Sequence, residues 1–293
     1  MNINVKNKEG IKFLTEIPNN SVDLILTDPP YLISKDSGMN KFVKAVEKIE
    51  QSNQNTKTEA DWLQYKQDKS WETPVHESVA KENYLRYGNA TGKKYGYKTE
   101  FGDWDKEFTI EKLQEFIQLF YRKLKKGGTC IIFFDIWKME TLKRLMEQIR
   151  ETKKGNWIGF NQIRFIEWIK TNPIPLNQST NYLTNAREIA LLGVKGGKPT
   201  FNSKYDKGIY EFPIQGGKNR FHPTQKSLPL FEELIRKHST EGDLVIDPFL
   251  GGGTTALACK NTNRHFKGCE IDKKFYDKVI DILNDSDDEE VLS

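Results

Sequence analysis

Four consecutive residues, Asp28-Pro29-Pro30-Tyr31, join a carboxylate, a stiff proline pair and a flat aromatic ring. Pro30 has no N–H, which leaves the Pro29 carbonyl free to face a ligand, and the two prolines restrict the loop. An amino group on a planar base has two protons to donate, and Asp28 plus the Pro29 carbonyl offer two acceptors. Those hydrogen bonds favour tetrahedral character at the nitrogen and localise its lone pair for attack, while Tyr31 stacks on the ring. As a bare tetrapeptide the motif also suits an ordinary turn.

A second centre is Asp247-Pro248-Phe249-Leu250-Gly251-Gly252-Gly253-Thr254-Thr255. An acid ending a strand, a glycine-rich turn and a helix start let backbone approach a ligand closely while the acid accepts hydrogen bonds. The segment lacks the Lys-Ser/Thr of a phosphate-binding P-loop, and its three adjacent glycines are not the spaced dinucleotide fingerprint. About 23 residues on, Glu270 ends the next strand in Gly268-Cys269-Glu270-Ile271-Asp272. A carboxylate there suits a bidentate hydrogen bond to two ribose hydroxyls. Together the two features imply an adenosine-containing cofactor held without recourse to phosphates.

The elements that must carry these groups read as alternating strands and helices. Ser21–Asp28 is a short apolar run ended by an acid and two prolines, as a buried parallel strand would be, preceded by a strand at Ile3–Val5 and a helix over Ile11–Ile17. Ile110–Leu124 is an amphipathic helix, followed by strand Thr129–Asp135 and helix Trp137–Ile149. Strands are expected at Ile163–Ile169, Glu188–Val194, Leu244–Asp247 and His265–Ile271, and helices at Leu228–His238, Thr254–Lys260 and Phe275–Leu283. The fold expected is an α/β, Rossmann-like one: a mostly parallel, seven-stranded sheet with helices on both faces. In such sheets ligands bind at the carboxyl ends of the strands, where Asp28, Asp135, Asp247 and Glu270 fall.

Residues 1–284 are therefore expected to form one domain. Within it, 34–104 is rich in Lys, Glu, Gln, Asn and aromatics, too long for an ordinary loop, and reads as an insertion, either a lid or a DNA-contacting or packed subdomain. The last stretch, 285–293, holds five acids and is expected to be a disordered tail; without those acids the formal +4 charge would be more basic by five. A basic body fits a polyanionic partner. Cys130, Cys259 and Cys269 read as buried free thiols, and the four scattered histidines have no zinc-like spacing, so no metal is expected. No signal peptide or membrane-length apolar run is present, which points to the cytoplasm.

Asp28–Tyr31 and Asp247–Thr255 together resemble the amino-methylating DNA methyltransferases, in which an Asp-Pro-Pro-Tyr motif is catalytic and an Asp-Pro-Phe-x-Gly-x-Gly-Thr-Thr motif binds S-adenosylmethionine. With the catalytic motif N-terminal, the order is that of the permuted beta group. His222-Pro223-Thr224-Gln225-Lys226 resembles that group's further cofactor motif, and the likeness extends through Phe101–Trp104, Leu124–Gly128, Trp168-Ile169-Lys170 and Glu188. The resemblance implies a class I S-adenosylmethionine-dependent fold. It assigns catalysis to Asp28, Pro29, Pro30 and Tyr31. It assigns cofactor binding to Glu9, Asp28, His222, Thr224, Gln225, Lys226, Asp247, Pro248, Phe249, Gly251, Gly253, Thr254, Thr255, Glu270, Ile271 and Asp272. Gly252 replaces the usual serine, and Glu9 stands where the family has Gly-Asp.

Target recognition in that group maps before the His-Pro-Thr-Gln-Lys motif, here 195–221, with Lys195, Lys198, Lys204, Lys218 and Arg220 as candidate DNA contacts. The implied substrate is adenine N6 in a specific DNA sequence, in the manner of restriction-modification methylases, with the presence of a cognate restriction enzyme left open and a homodimer the commoner assembly. Cytosine N4, RNA or a protein glutamine, and a non-catalytic DNA-binding subunit are the competing readings.

Overall fold

In a computed structural model of the chain, the residues described are 1–30, 57–68, 76–87, 108–173, 183–216 and 225–290. The chain divides into two compact units, one of Met1–Leu32 with Phe108–Ser293 and the other of Ile33–Glu107.

The larger unit begins with β1 (Ile3–Asn7), α1 (Gly10–Glu16) and β2 (Val22–Thr27). The smaller contributes α2 (Glu59–Asp68) and α3 (Glu77–Tyr87). The larger unit resumes with α4 (Ile110–Lys123), β3 (Leu124–Phe134), a 3-10 turn at Ile136–Lys138, α5 (Met139–Glu147), β4 (Arg150–Glu151), β5 (Trp157–Ile158), β6 (Asn161–Lys170), β7 (Arg187–Val194) and β8 (Ile209–Phe212). It ends with α6 (Leu228–His238), β9 (Leu244–Asp247), α7 (Thr254–Asn261), β10 (His265–Glu270) and α8 (Lys273–Glu290).

Side chains alternate across a strand, and the sequence uses both faces. Ile25 of β2 and Cys130, Ile132 and Phe134 of β3 point into one core with Phe13 and Leu14 of α1, Phe116 and Phe120 of α4 and Leu142 and Met146 of α5. Leu24 and Leu26, with Ile131 and Phe133, point the other way, onto Phe231 and Leu234 of α6, Ala256 and Cys259 of α7 and Val279 of α8. Each fully buried Phe or Leu stabilises by roughly 1.5–3 kcal/mol, so both helical layers are held by their apolar stripes. The three cysteines are buried and free.

The main sheet runs β1-β10-β9-β2-β3-β7-β6-β8. It has eight strands where seven were expected, because Ile209–Phe212 adds to β6 in parallel register, Trp168 beside Tyr210. That strand is four residues long inside a glycine-rich stretch, too short to announce itself by alternation. The pair β4–β5 forms a separate two-stranded ribbon. Strands β1, β10, β9, β2 and β3 are mutually parallel, whereas β7 is antiparallel to both β3 and β6. From β2 the chain next enters the sheet at β3 on one side, and from β9 at β10 on the other. The border between β2 and β9 is thus a topological switch point, where a crevice opens beyond the strand ends. Helix α8 continues to Glu290, so 285–290 is helical and not the unstructured tail expected. Val279 and Leu283 anchor the first turns, after which each added residue gains a hydrogen bond without a new nucleation cost.

In the smaller unit Thr58 and Asp61 form a reciprocal cap at the start of α2. Trp62 and Tyr84 are buried against Ala80 and Tyr65, with the Tyr65 and Tyr84 rings 4.5 Å apart. Lys66–Glu77 and Lys81–Glu59 pairs link the two helices. These aromatics therefore form a packed core. Trp104 and most of 34–104 lie outside the described residues.

Candidate active site

Strand β2 delivers Asp28 to the switch point, and β9 delivers Asp247 next to it. Asp247 is buried and accepts three hydrogen bonds: from the Thr27 hydroxyl at 2.6 Å, the Thr255 hydroxyl at 2.6 Å and the Phe249 N–H at 3.0 Å. Burial raises its carboxyl above the usual range, and those three donors oppose the rise. It binds together the end of β2, the glycine turn and the first turn of α7.

The turn itself is shaped by Gly251 and Gly253, both at positive φ (52° and 78°), which a side chain rarely tolerates. A Cβ on Gly253 would also meet the Val279 methyls at 2.9 Å. Glu270 is buried at the end of β10 and accepts the Gly251 N–H at 2.8 Å on one oxygen and the Asp272 N–H at 2.9 Å on the other. Each oxygen keeps a further lone pair, so the donor-accepting chemistry a ribose diol needs is present. Burial is the main cause of the raised Glu270 carboxyl. Asp272 caps α8 through the Lys274 N–H, and Ile271 is half exposed. Glu9 caps α1 through the Lys12 N–H.

Asp28 stands at the mouth of this arrangement. Its Oδ2 is 2.8 Å from the Lys226 ammonium, while Oδ1 is buried with no hydrogen-bond partner among the described residues. Burial pushes the carboxyl up to about 6; Lys226 works against that shift, and Glu188 and Asp247 add to it. Lys226 also pairs with Glu188 at 2.5 Å, and Glu188 with Lys170 at 2.7 Å. Burial disfavours charge on Glu188, yet Lys226 and Lys170 hold it below the usual carboxylate range. An open cleft is lined by Asp28, Gln225, Lys226, Asp247, Phe249, Gly251, Gly252, Thr254 and Thr255 together with Phe231 and Leu250. The two sequence motifs and the Gln-Lys pair thus share one cavity. Tyr31, His222 and Thr224 lie outside the described residues.

A family profile for DNA methylases that act at N6 or N4 matches residues 22–281. The chain belongs to the N6/N4 DNA methylase family. It is 27% identical over 286 residues to the type II methyltransferase M2.DpnII of Streptococcus pneumoniae, covering 91% of this chain and 84% of that one. It is 28% identical over 296 residues to M.HpaI of Haemophilus parainfluenzae, covering 94% and 72%. Among solved structures, the M1.HpyAVI–SAM complex aligns with a TM-score of 0.55 at 22% identity, covering 95% of this chain and 98% of that one. The cytosine-N4-specific PvuII DNA methyltransferase aligns at 0.59 and 15%, covering 97% and 93%. At these identities the structural likenesses speak to the fold.

Of the candidate DNA contacts in this methylase, Lys195, Lys198 and Lys204 are among the described residues. Lys195 donates to Asn20 Oδ1 and to the Leu124 carbonyl, both at 2.7 Å, and sits over the Tyr121 ring. Those partners mark the amino ends of β2 and β3, about 20 Å along a six-residue strand from Asp28. Lys198 packs its backbone on Gly127 at the same end, and Asn202 and Asp206 bind the last turn of α6 through the Lys237 and Ser239 backbone and the Lys237 side chain. Lys204, between them, is exposed on that side. Lys218 and Arg220 lie outside the described residues. Sequence reasoning missed Thr27 as the link to Asp247, and missed that Glu188 pairs with both Lys170 and Lys226. Lys170 and Glu188 were marked in the sequence by the family resemblance and as charged residues at the ends of apolar strands. Among the described residues no helix is long and apolar enough to cross a membrane, and no His, Cys, Asp and Glu group is arranged to hold a metal.

Proposed function

We propose that this methylase transfers a methyl group from S-adenosylmethionine to the N6 amino group of adenine in a specific DNA sequence, with the base flipped into the Asp28–Tyr31 pocket. The observation that carries the reading is the Asp28 carboxylate, one oxygen fixed by Lys226 and the other buried without a hydrogen-bond partner among the described residues, in a residue that lines the same cleft as Gly251 and Gly252. S-adenosylmethionine, when bound, supplies an electrophilic methyl on a sulfonium whose leaving group is already good. Glu270 would hold its ribose and the Gly251–Gly253 turn its backbone-facing edge.

Asp28 Oδ1 and the Pro29 carbonyl accept the two amino protons, turning the nitrogen lone pair out of the ring plane. The N–C bond then forms as the C–S bond breaks, and the surplus amino proton leaves to Asp28 or to water. Positioning and exclusion of water supply most of the acceleration, so no strong base is needed. The choice of adenine rests on Asp at the head of the tetrapeptide.

Asp28→Ala is expected to abolish methylation while calorimetry still detects S-adenosylmethionine binding, whereas wild-type turnover in that variant would sink the mechanism. Modification mapping on DNA from expressing cells is expected to find N6-methyladenine; N4-methylcytosine alone would reassign the base.

A further inference from the structure

We propose that Lys170 and Glu188, on the antiparallel pair β6–β7, are positioning residues for methyl transfer that act on Asp28 through Lys226. The proposal rests on the reading of Asp28 as the carboxylate that receives the amino group. Four side chains of alternating sign form one chain: Lys170 Nζ to Glu188 Oε1 at 2.7 Å, Glu188 Oε2 to Lys226 Nζ at 2.5 Å, Lys226 Nζ to Asp28 Oδ2 at 2.8 Å. They come from the end of β6, the start of β7, the segment before α6 and the end of β2, and none has more than 21% of its side chain exposed.

Taking four charges out of water is costly, and well-packed apolar residues would hold the same elements at least as firmly. What apolar residues would not do is orient a carboxylate. Lys226 fixes Oδ2, which restricts rotation of Asp28, a residue that lines the cleft and whose Oδ1 is buried without a hydrogen-bond partner among the described residues. A lone Lys226–Asp28 pair would also neutralise the carboxylate. Glu188 draws on the same ammonium from its other side, which leaves Asp28 more of its negative field for the nitrogen that becomes positive during transfer. Lys170 restrains Glu188 in turn, keeping Lys226 between the two acids. The groups facing Asp28 from the elements around it are Lys226, Glu188 and Asp247, and the split between a raised Asp28 and a lowered Glu188 agrees with this sharing.

The test is the pH dependence of single-turnover methylation by the full chain, at saturating S-adenosylmethionine and DNA, for wild type, Glu188→Gln, Lys170→Gln and Lys226→Met. Methylation needs Asp28 ionised, so its acid limb follows that carboxyl. Removing the competing acid in Glu188→Gln is expected to move the limb to lower pH. Removing a cation in Lys226→Met or Lys170→Gln is expected to move it to higher pH, with the larger displacement and a rate loss of roughly 10²-fold for Lys226→Met. A purely structural role would not give shifts of opposite sign. Limbs that coincide with wild type, or all move one way, overturn the proposal. Should Lys226→Met not fold, the opposed pair Glu188→Gln and Lys170→Gln decides the matter alone. Turnover by Asp28→Ala would instead remove the underlying reading, so the two failures are distinguishable.

Discussion

Replacing Asp28 by asparagine keeps its shape and removes its charge, and the expected result is a dead enzyme that is harder to unfold. The Asp28 carboxyl is raised from 3.8 to about 6, chiefly by burial, so its ionisation costs the folded state about 2.2 pH units at ~1.36 kcal/mol each, or about 3 kcal/mol. With 18% of the side chain exposed, solvent trims this to roughly 2–3 kcal/mol. The sign follows from linkage. The folded pKa lies above the unfolded one, so ionisation destabilises the fold fully above about pH 6 and the penalty disappears as pH falls toward 3.8.

Asparagine escapes the penalty at every pH, and in a protein of this size the gain corresponds to roughly 4–10 °C in Tm. Paired thermal melts of wild type and Asp28→Asn from pH 4 to 8, without cofactor, should show a Tm gain that is full at pH 7.5, about half near pH 5 and nearly absent at pH 4. Comparing the pair matters, because the buried His238, held down to about 4 by desolvation, weakens both proteins as pH falls below 6.5. An Asp28→Asn protein that melts at or below wild type at pH 7.5, or a gap that does not change with pH, would refute the reasoning.

Asp247→Ala removes the acceptor for two hydroxyls and one N–H in a dry site and is expected to cost about 3–5 kcal/mol by urea denaturation, with S-adenosylmethionine affinity down more than about tenfold as the glycine turn is released. Unchanged stability there would mean that the three bonds do not hold the turn. Lys195→Met is expected to lower stability by about 1–2 kcal/mol yet leave the salt dependence of DNA binding unaltered, whereas a lost phosphate contact would reduce that slope by about 0.9.

Much of the site was legible because its parts are local. An apolar run ended by an acid and a breaker is what a buried parallel strand and its ligand loop look like in one dimension, and β2 and β9 both read that way, while β10 ends in an acid alone. Helix α6 was found with both ends in place, since Pro229 suits a first turn and Arg236, Lys237 and His238 suit a last one. What stayed hidden depends on pairing between distant segments. Nothing in the local sequence says that β6 and β7 lie antiparallel with Trp168 opposite Glu188, so nothing announces that Lys170 and Glu188 meet, or that Lys226 turns toward Asp28. The segment 195–221 was assigned to DNA by its place before the His-Pro-Thr-Gln-Lys motif, and a place in the chain carries no information about which end of a sheet a loop occupies. Asn202, whose side-chain amide donates to the Arg236 and Ser239 carbonyls, fixes it at the amino ends.

The sheet order explains how the Asp28 motif, which precedes the Asp247–Thr255 motif by most of the chain, still lies beside it. Thr27 and Asp247 are 220 positions apart, yet β2 and β9 are hydrogen-bonded neighbours with Ile25 beside Ile246. Chemistry at the switch point requires adjacency in the sheet, and connection order enters only through which loops must cross. The Thr27–Asp247 bond adds a side-chain lock to that adjacency, because the residue preceding Asp28 donates to the acid that also holds the glycine turn. A shift of one loop must therefore be felt by the other. Lys226, whose backbone carbonyl accepts from Thr254 and whose ammonium holds Asp28, makes the same connection a second time across the mouth of the cleft. Two bridges thus tie the glycine turn to the Asp28 carboxylate, and under the proposed function they would give methyl donor and amino acceptor the fixed separation that an in-line transfer requires.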